Sequence, residues 1–148
     1  MVKFAKRWNA VVFAVAVCTS GGAMANAESD LPPERVQGVV SFRSGGIGTD
    51  QQDAMKLAAA SYPLELQFVE RGQTLGLPQG LYASDVSVTI RDGRGRIVFE
   101  ATSAGPFMLA RLPDGDYTIS ANNDGRVTKK RVRVEQTKHQ KVVFEWNA

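Results

Sequence analysis

LARLPDGDYTISANNDGRVTKKRVRV, residues 109–134, contains two turns and the strands on either side of them. Pro113-Asp114-Gly115 joins a residue that fixes φ to one that tolerates positive φ, so the chain reverses there. Tyr117, Ile119 and Ala121 then alternate with Thr118 and Ser120, the period of a strand with one buried face. Asn122-Asn123-Asp124-Gly125 turns the chain again, into a long strand whose Val132 and Val134 face inward. The same pattern extends in both directions. Upstream, Val86, Val88 and Ile90 alternate with Ser87, Thr89 and Arg91, and Asp92-Gly93-Arg94-Gly95 makes a hairpin turn into Arg96–Ala101, where Ile97 and Phe99 share a face. Gly105-Pro106 leads into a strand over Phe107–Leu112, and the final strand, Lys141–Trp146, puts Val142, Phe144 and Trp146 on one side. About six short strands at regular spacing predict a mainly β fold, an antiparallel β-sandwich.

Residues 36–70 read differently, as a strand–helix–strand preface. Val36–Arg43 is predicted as one strand with Val36, Val40 and Phe42 on one side and Val39 on the other. Gly45, Gly46 and Gly48 break it, and Thr49 with Gln52 fits a capping box for a helix from about Asp50 to Ser61. Ala54, Leu57 and Ala58 form its apolar stripe with Met55 beside them, and Pro63 ends it. Leu64, Leu66 and Phe68 then alternate with Glu65 and Gln67 in a half-buried strand, and 71–81 reads as a glycine- and proline-marked loop. A strand, a glycine loop and a helix is the layout of a phosphate cradle. Neither form of that motif is complete. No Lys-Ser or Lys-Thr follows the glycines, Gln51 stands where a dinucleotide fingerprint needs its third glycine, and Asp50 puts a carboxylate where the anion would sit.

Residues 1–27 have the marks of a cleaved secretory signal peptide. Lys3, Lys6 and Arg7 precede an apolar run over 10–17, and Ala25-Asn26-Ala27 is an A-x-A cleavage site. The run is shorter than the roughly 20 residues that span a bilayer. Val17 before Cys18 argues against lipoprotein processing. Cleavage removes the only cysteine, and it removes 3 of the 18 basic residues and none of the 15 acidic ones, so residues 28–148 balance at net zero. Global charge therefore gives no reason to expect nucleic acid as a partner. About 120 residues remain, enough for a single domain, with no stretch apolar enough to cross a membrane. The expected location is the periplasm, with secretion outside the cell as the alternative.

The 109–134 stretch, with Leu112, Pro113, Gly115 and Tyr117 in order, resembles the carboxypeptidase regulatory-like, or transthyretin-like, β-sandwich. SGGIGTDQQDAM (44–55), YPLELQFVE (62–70), LYASDVSVTIRDGRGRIVF (81–99), GPFMLARLPDGDY (105–117) and VVFEW (142–146) follow in the order found in small exported proteobacterial proteins with that domain. The resemblance implies an Ig-like, transthyretin-like sandwich over 81–148, one short N-terminal α-helix before it, and an exported location. It implies no catalytic residue and no cofactor. The loop over 71–80 is longer than the family pattern.

Chemistry-bearing residues are sparse. The lone His139 sits beside Lys138 and Lys141 without a second imidazole, and is expected as an exposed loop residue. Asp85, Asp92 and Glu100 fall at outward or turn positions, and Asn122-Asn123-Asp124 serves a turn before it serves calcium. No catalytic, cofactor-binding or metal-ligating residue is assigned. The local charge anomaly is 126–141, where seven basic residues face the single Glu135. With Val132 and Val134 inward, Lys129, Arg131 and Arg133 project together, either as a solvated edge or as a docking stripe for an envelope protein, an anionic glycan or lipopolysaccharide. Tyr82 is the candidate glycan contact, while Trp146 is expected in the core. The expected function is thus a non-enzymatic, envelope-associated interaction module. A carbohydrate-binding sandwich is the alternative, and a small hydrolase comes third.

Overall fold

The computed structural model describes residues 30–74 and 77–147. The leader, Cys18 and the cleavage site lie outside the described residues. The chain forms strands β1 (Arg35–Gln37) and β2 (Val40–Gly45), helix α1 (Thr49–Ala59), then β3 (Leu64–Thr74), β4 (Leu77–Tyr82), β5 (Ser87–Arg91), β6 (Ile97–Thr102), β7 (Phe107–Arg111), β8 (Gly115–Asn123), β9 (Arg126–Val134) and β10 (Gln140–Asn147). They make two sheets. Sheet A runs β1-β2-β7-β3-β10 with β4 also on β3, and sheet B runs β6-β5-β8-β9.

The sheets face each other across one core. Val40, Phe42, Leu64, Leu66, Phe68, Met108, Val142 and Phe144 enter it from sheet A, and Val88, Ile90, Phe99, Ile119, Val132 and Val134 from sheet B. Phe42 and Phe99 meet edge to face at 4.8 Å between ring centroids, joining the layers. Trp146 is buried in the core, and its indole nitrogen donates to Arg126 O at 2.9 Å. β7 is buried on both sides, with Met108 and Ala110 in the main core and Phe107 and Leu109 under α1, so its apolar residues run without alternation.

Where local chemistry sets the turn, the predicted hairpins form. Asp124 and Gly125 take φ of 52° and 84°, the paired positive values of a two-residue hairpin loop, and Asn123 pairs with Arg126 across it. The Tyr117 hydroxyl donates to Pro113 O at 2.7 Å, pinning the corner where the chain passes from β7 in sheet A to β8 in sheet B.

Several expectations need correction. The single strand over 36–43 is a hairpin, β1 against β2, and Val36 and Val39 are exposed. The loop over 71–81 is another hairpin, in which β3 runs on to Thr74 and pairs with β4. α1 has Gly48 at its N-cap with no side-chain cap, so the Thr49–Gln52 capping box does not form. Gln51 Oε1 instead accepts from the Gly46 and Ile47 amides at 2.7 and 3.0 Å. These are the donors a phosphate cradle would need, and they are already used. The buried stripe is Met55, Ala59 and Tyr62 on Phe107 and Leu109, while Leu57 points to solvent. Ile97 is half exposed although Phe99 is buried, because a bulge shifts the register at Ile90/Arg91. One pairing is not antiparallel: β10 runs parallel to β3, which makes β3 an interior strand of the sheet.

Side chains close both seams between the sheets. On one flank the Gln37 amide donates to Glu100 O at 2.8 Å and accepts from Glu100 N at 2.7 Å, pairing with the open edge of β6 as a strand would. On the other, Lys130 Nζ donates to Val143 O and Arg126 reaches Asn147 O, tying β9 to β10. Gln37→Ala is expected to lower the unfolding free energy by about 1–2 kcal/mol, read from urea denaturation, because both bonds to an edge peptide are lost together.

Candidate functional site

The outer face of sheet B is polar and lies in rows set by strand register. Thr118 stands between Arg91 on β5 and Arg131 on β9, and Ser120 stands between Thr89 and Lys129. Asp116 lies opposite Arg133. Lys129, Arg131 and Arg133 therefore share one exposed face, as their alternation with the buried Val132 and Val134 requires. Lys130, on the inward side of the same strand, instead crosses to β10 and lies 5.5 Å from the Phe144 ring centroid.

The three stripe residues are not electrically equivalent. Arg133 is 3.4 Å from Asp116 and 3.7 Å from Glu135, so its charge is partly compensated. Lys129 and Arg131 have no ion pair among the described residues. Arg91, which sequence reasoning missed, joins them: its only side-chain hydrogen bond among the described residues is to Gly95 O at 3.0 Å. Elsewhere Arg71, Arg96, Arg111 and Arg126 are each paired, with Glu145, Asp92, Glu34 and Glu70 respectively. Arg91, Asp116, Thr118, Arg131 and Arg133 line an open depression of about 660 Å³ at the end of this face nearest the β5–β6 hairpin.

That hairpin is held by Asp92. Its carboxylate accepts from the Arg94 and Arg96 amides at 2.9 and 3.0 Å and from Arg96 Nε at 3.2 Å. The Arg96 amide, with the other donors, holds Asp92 below its ordinary carboxylate range, and hydrogen bonds from Arg126 and Arg71 do the same for Glu70 and Glu145. A carboxyl depressed in the folded chain contributes its stability above the unfolded value and loses it as pH falls through the folded one. Stability is therefore expected to fall as pH drops below about 4, where free carboxyls begin to protonate. Asp92→Asn should flatten part of that fall in urea midpoints measured across pH.

Tyr82, the candidate glycan contact, lies away from this site. It ends β4 in sheet A, is 46% exposed, and leans on Phe107 at 5.5 Å between ring centroids. His139 is exposed in its loop, as expected, but its ring is engaged on both sides. Its Nδ1 faces Tyr62 O at 2.8 Å and its Nε2 faces Glu65 Oε2 at 2.9 Å, covering a carboxylate that alternation would have placed in solvent but that is 6% exposed. Tyr62 also closes a polar knot, accepting from Arg43 Nε at 2.8 Å and donating to Glu34 at 3.0 Å, with Arg111 over its ring. Burial raises its phenol above the ordinary value. Asp85, Asp92 and Glu100 do not converge with His139 on any group of three metal-ligating side chains among the described residues. No helix among the described residues is long and apolar enough to cross a membrane.

Residues 76–144 are similar to the Rhizobiales growth-associated tandem repeat domain. That span takes in all of sheet B and the depression, and leaves out β1 to β3 and α1. A search of the curated proteins finds no significant match. Among solved structures, the Bacillus anthracis TIE protein is similar over 57% of this chain and 16% of its own length, at 12% identity and a TM-score of 0.32. The chain thus spans under a fifth of that protein. A likeness this loose bears on neither fold nor activity.

Proposed function

We propose that this chain is a non-enzymatic binding module of the bacterial cell envelope, exported by a cleaved leader, that docks an anionic partner on the outer face of sheet B. The observation that carries the reading is the set of uncompensated cations on that face. Arg91, Lys129 and Arg131 are gathered by strand register while most arginines elsewhere are spent on ion pairs. Cations left free on a rigid sheet raise the local concentration of anionic partners and speed their arrival. The partner class is an envelope protein's acidic face, an anionic glycan or lipopolysaccharide.

The finer fold reading, an Ig-like or transthyretin-like sandwich of the carboxypeptidase regulatory-like kind, is supported by the pinned Pro113–Tyr117 corner between sheets. A non-catalytic role is supported by His139, whose ring nitrogens are both engaged by Tyr62 and Glu65. The similarity of 76–144 to a repeat domain fits a part used for contact. Retention of the protein on envelope fractions, compared between the native chain and the Lys129→Glu/Arg131→Glu/Arg133→Glu variant, tests the reading. Equal retention would reject it.

Carbohydrate binding is the second reading, and it rests on the half-exposed Tyr82 ring. Phe107 steadies that ring at 5.5 Å between centroids in a tilted contact, and its exposed part is the surface on which a sugar would stack. If this reading holds, Tyr82→Ala weakens neutral-glycan binding on an array by about tenfold, a loss of about 1.4 kcal/mol. An unchanged or blank array discards it.

A further inference from the structure

The depression on the outer face has a more specific lining than a charged surface requires. Arg91, Thr118 and Arg131 stand in one row on three adjacent strands. Strands lie about 4.8 Å apart, so the two arginines flank the hydroxyl at roughly 10 Å between backbones, within converging reach of each other. All three line the same depression. Its acids are already engaged, Asp92 by Arg96 and two amides, and Asp116 by Arg133 at 3.4 Å. The positive charge left over resides on Arg91 and Arg131. A planar carboxylate is satisfied by one guanidinium fork in its own plane. Two guanidinium groups carried on opposite flanks of a hydroxyl, Arg91 giving up its bond to Gly95 O, can instead approach from three directions, which suits a tetrahedral oxyanion bearing two charges.

We propose that this depression is a binding site for a phosphate monoester, the group presented by a phosphorylated sugar or a lipid headgroup. The inference rests on the docking reading above and narrows it to one chemistry. The test uses the protein purified from its own host, titrated at constant ionic strength with inorganic phosphate, a sugar phosphate and the same sugar without phosphate. In parallel, the protein is sedimented with phosphatidylcholine vesicles with and without phosphatidic acid. Saturable binding of both phosphates and none of the plain sugar is expected. Arg91→Ala and Arg131→Ala should each weaken phosphate binding at least about tenfold, as loss of a charged hydrogen-bond partner does. Lys56→Ala, on α1 and outside both the depression and the outer face of sheet B, should change it less than about twofold, and circular dichroism should show all three variants folded. Vesicle binding that requires phosphatidic acid and is lost in Arg91→Ala assigns the lipid source, and binding confined to the soluble sugar phosphate assigns the glycan. Absence of saturable phosphate binding overturns the proposal, as does binding untouched by Arg91→Ala. If the triple charge reversal abolishes envelope retention while Arg91→Ala is silent towards phosphate, docking stands and the phosphate site falls. If the reversal leaves retention unchanged, the docking reading itself has failed.

Discussion

Gly46→Val is expected to lower the unfolding free energy by about 3–5 kcal/mol, enough to unfold much of a marginal domain at growth temperature. Two costs coincide there. Gly46 has φ of 105°, in the region side chains avoid, and an added Cβ would sit 2.5 Å from Phe107 Cδ2. Phe107 cannot yield freely, because it is fully buried between β7 and α1 with Met55, Ala59 and Leu109. Gly48 provides the internal comparison. It also has positive φ, but a Cβ there meets nothing within 4 Å, so Gly48→Val should cost only the backbone strain, about 1–2 kcal/mol. Chemical denaturation of the two variants separates strain from collision. A pair of valine variants that both fold as well as the native chain, yet lose envelope retention, would return this loop to a functional role.

The second large effect is on binding. Reversing Lys129, Arg131 and Arg133 together is expected to weaken attachment to an anionic partner by about a hundredfold or more, since complementary charges are replaced by repelling ones. Stability should change by less than about 1 kcal/mol, because the side chains are exposed and such pairs contribute little to folding. Arg133→Glu alone places a new acid beside Asp116 and Glu135, so the variant's acid and neutral stabilities should both be measured. Binding by the native chain should weaken as salt rises, which a contact built on apolar surface would not show.

How much of this was legible in the sequence depends on how local each cause is. The turn at Asp124-Gly125, the Tyr117–Pro113 corner and the buried Val142, Phe144 and Trp146 each follow from a few adjacent residues, and each formed. The missed features depend on distant partners. Leu57 looked like part of a helix stripe, but Phe107 and Leu109 select Met55 and Ala59 instead. Val36–Arg43 satisfied the alternation rule as one strand, and only the pairing of Gln37 with Val40 shows the turn between. The parallel pairing of β3 with β10 joins residues 76 apart, for which the sequence holds no local signal. The candidate site divides in the same way. Lys129, Arg131 and Arg133 are readable from one strand's alternation. Arg91 becomes their neighbour only through β8, although its outward position opposite Ile90 was already visible. His139 is exposed in its loop, as its neighbours imply, but Glu65, which alternation places outward, is buried beneath it.

Whether the outer face of sheet B meets an anionic partner in the cell envelope is decided by site-specific photocrosslinking in the native host. A photoreactive residue replaces Ser120, in the middle of that face, and in a second strain replaces Tyr82 on sheet A. A discrete adduct is expected from position 120, lost when Lys129, Arg131 and Arg133 are reversed to glutamate, with no such adduct from position 82. An adduct from position 82 alone, or one from position 120 that survives the charge reversal, would contradict such a contact.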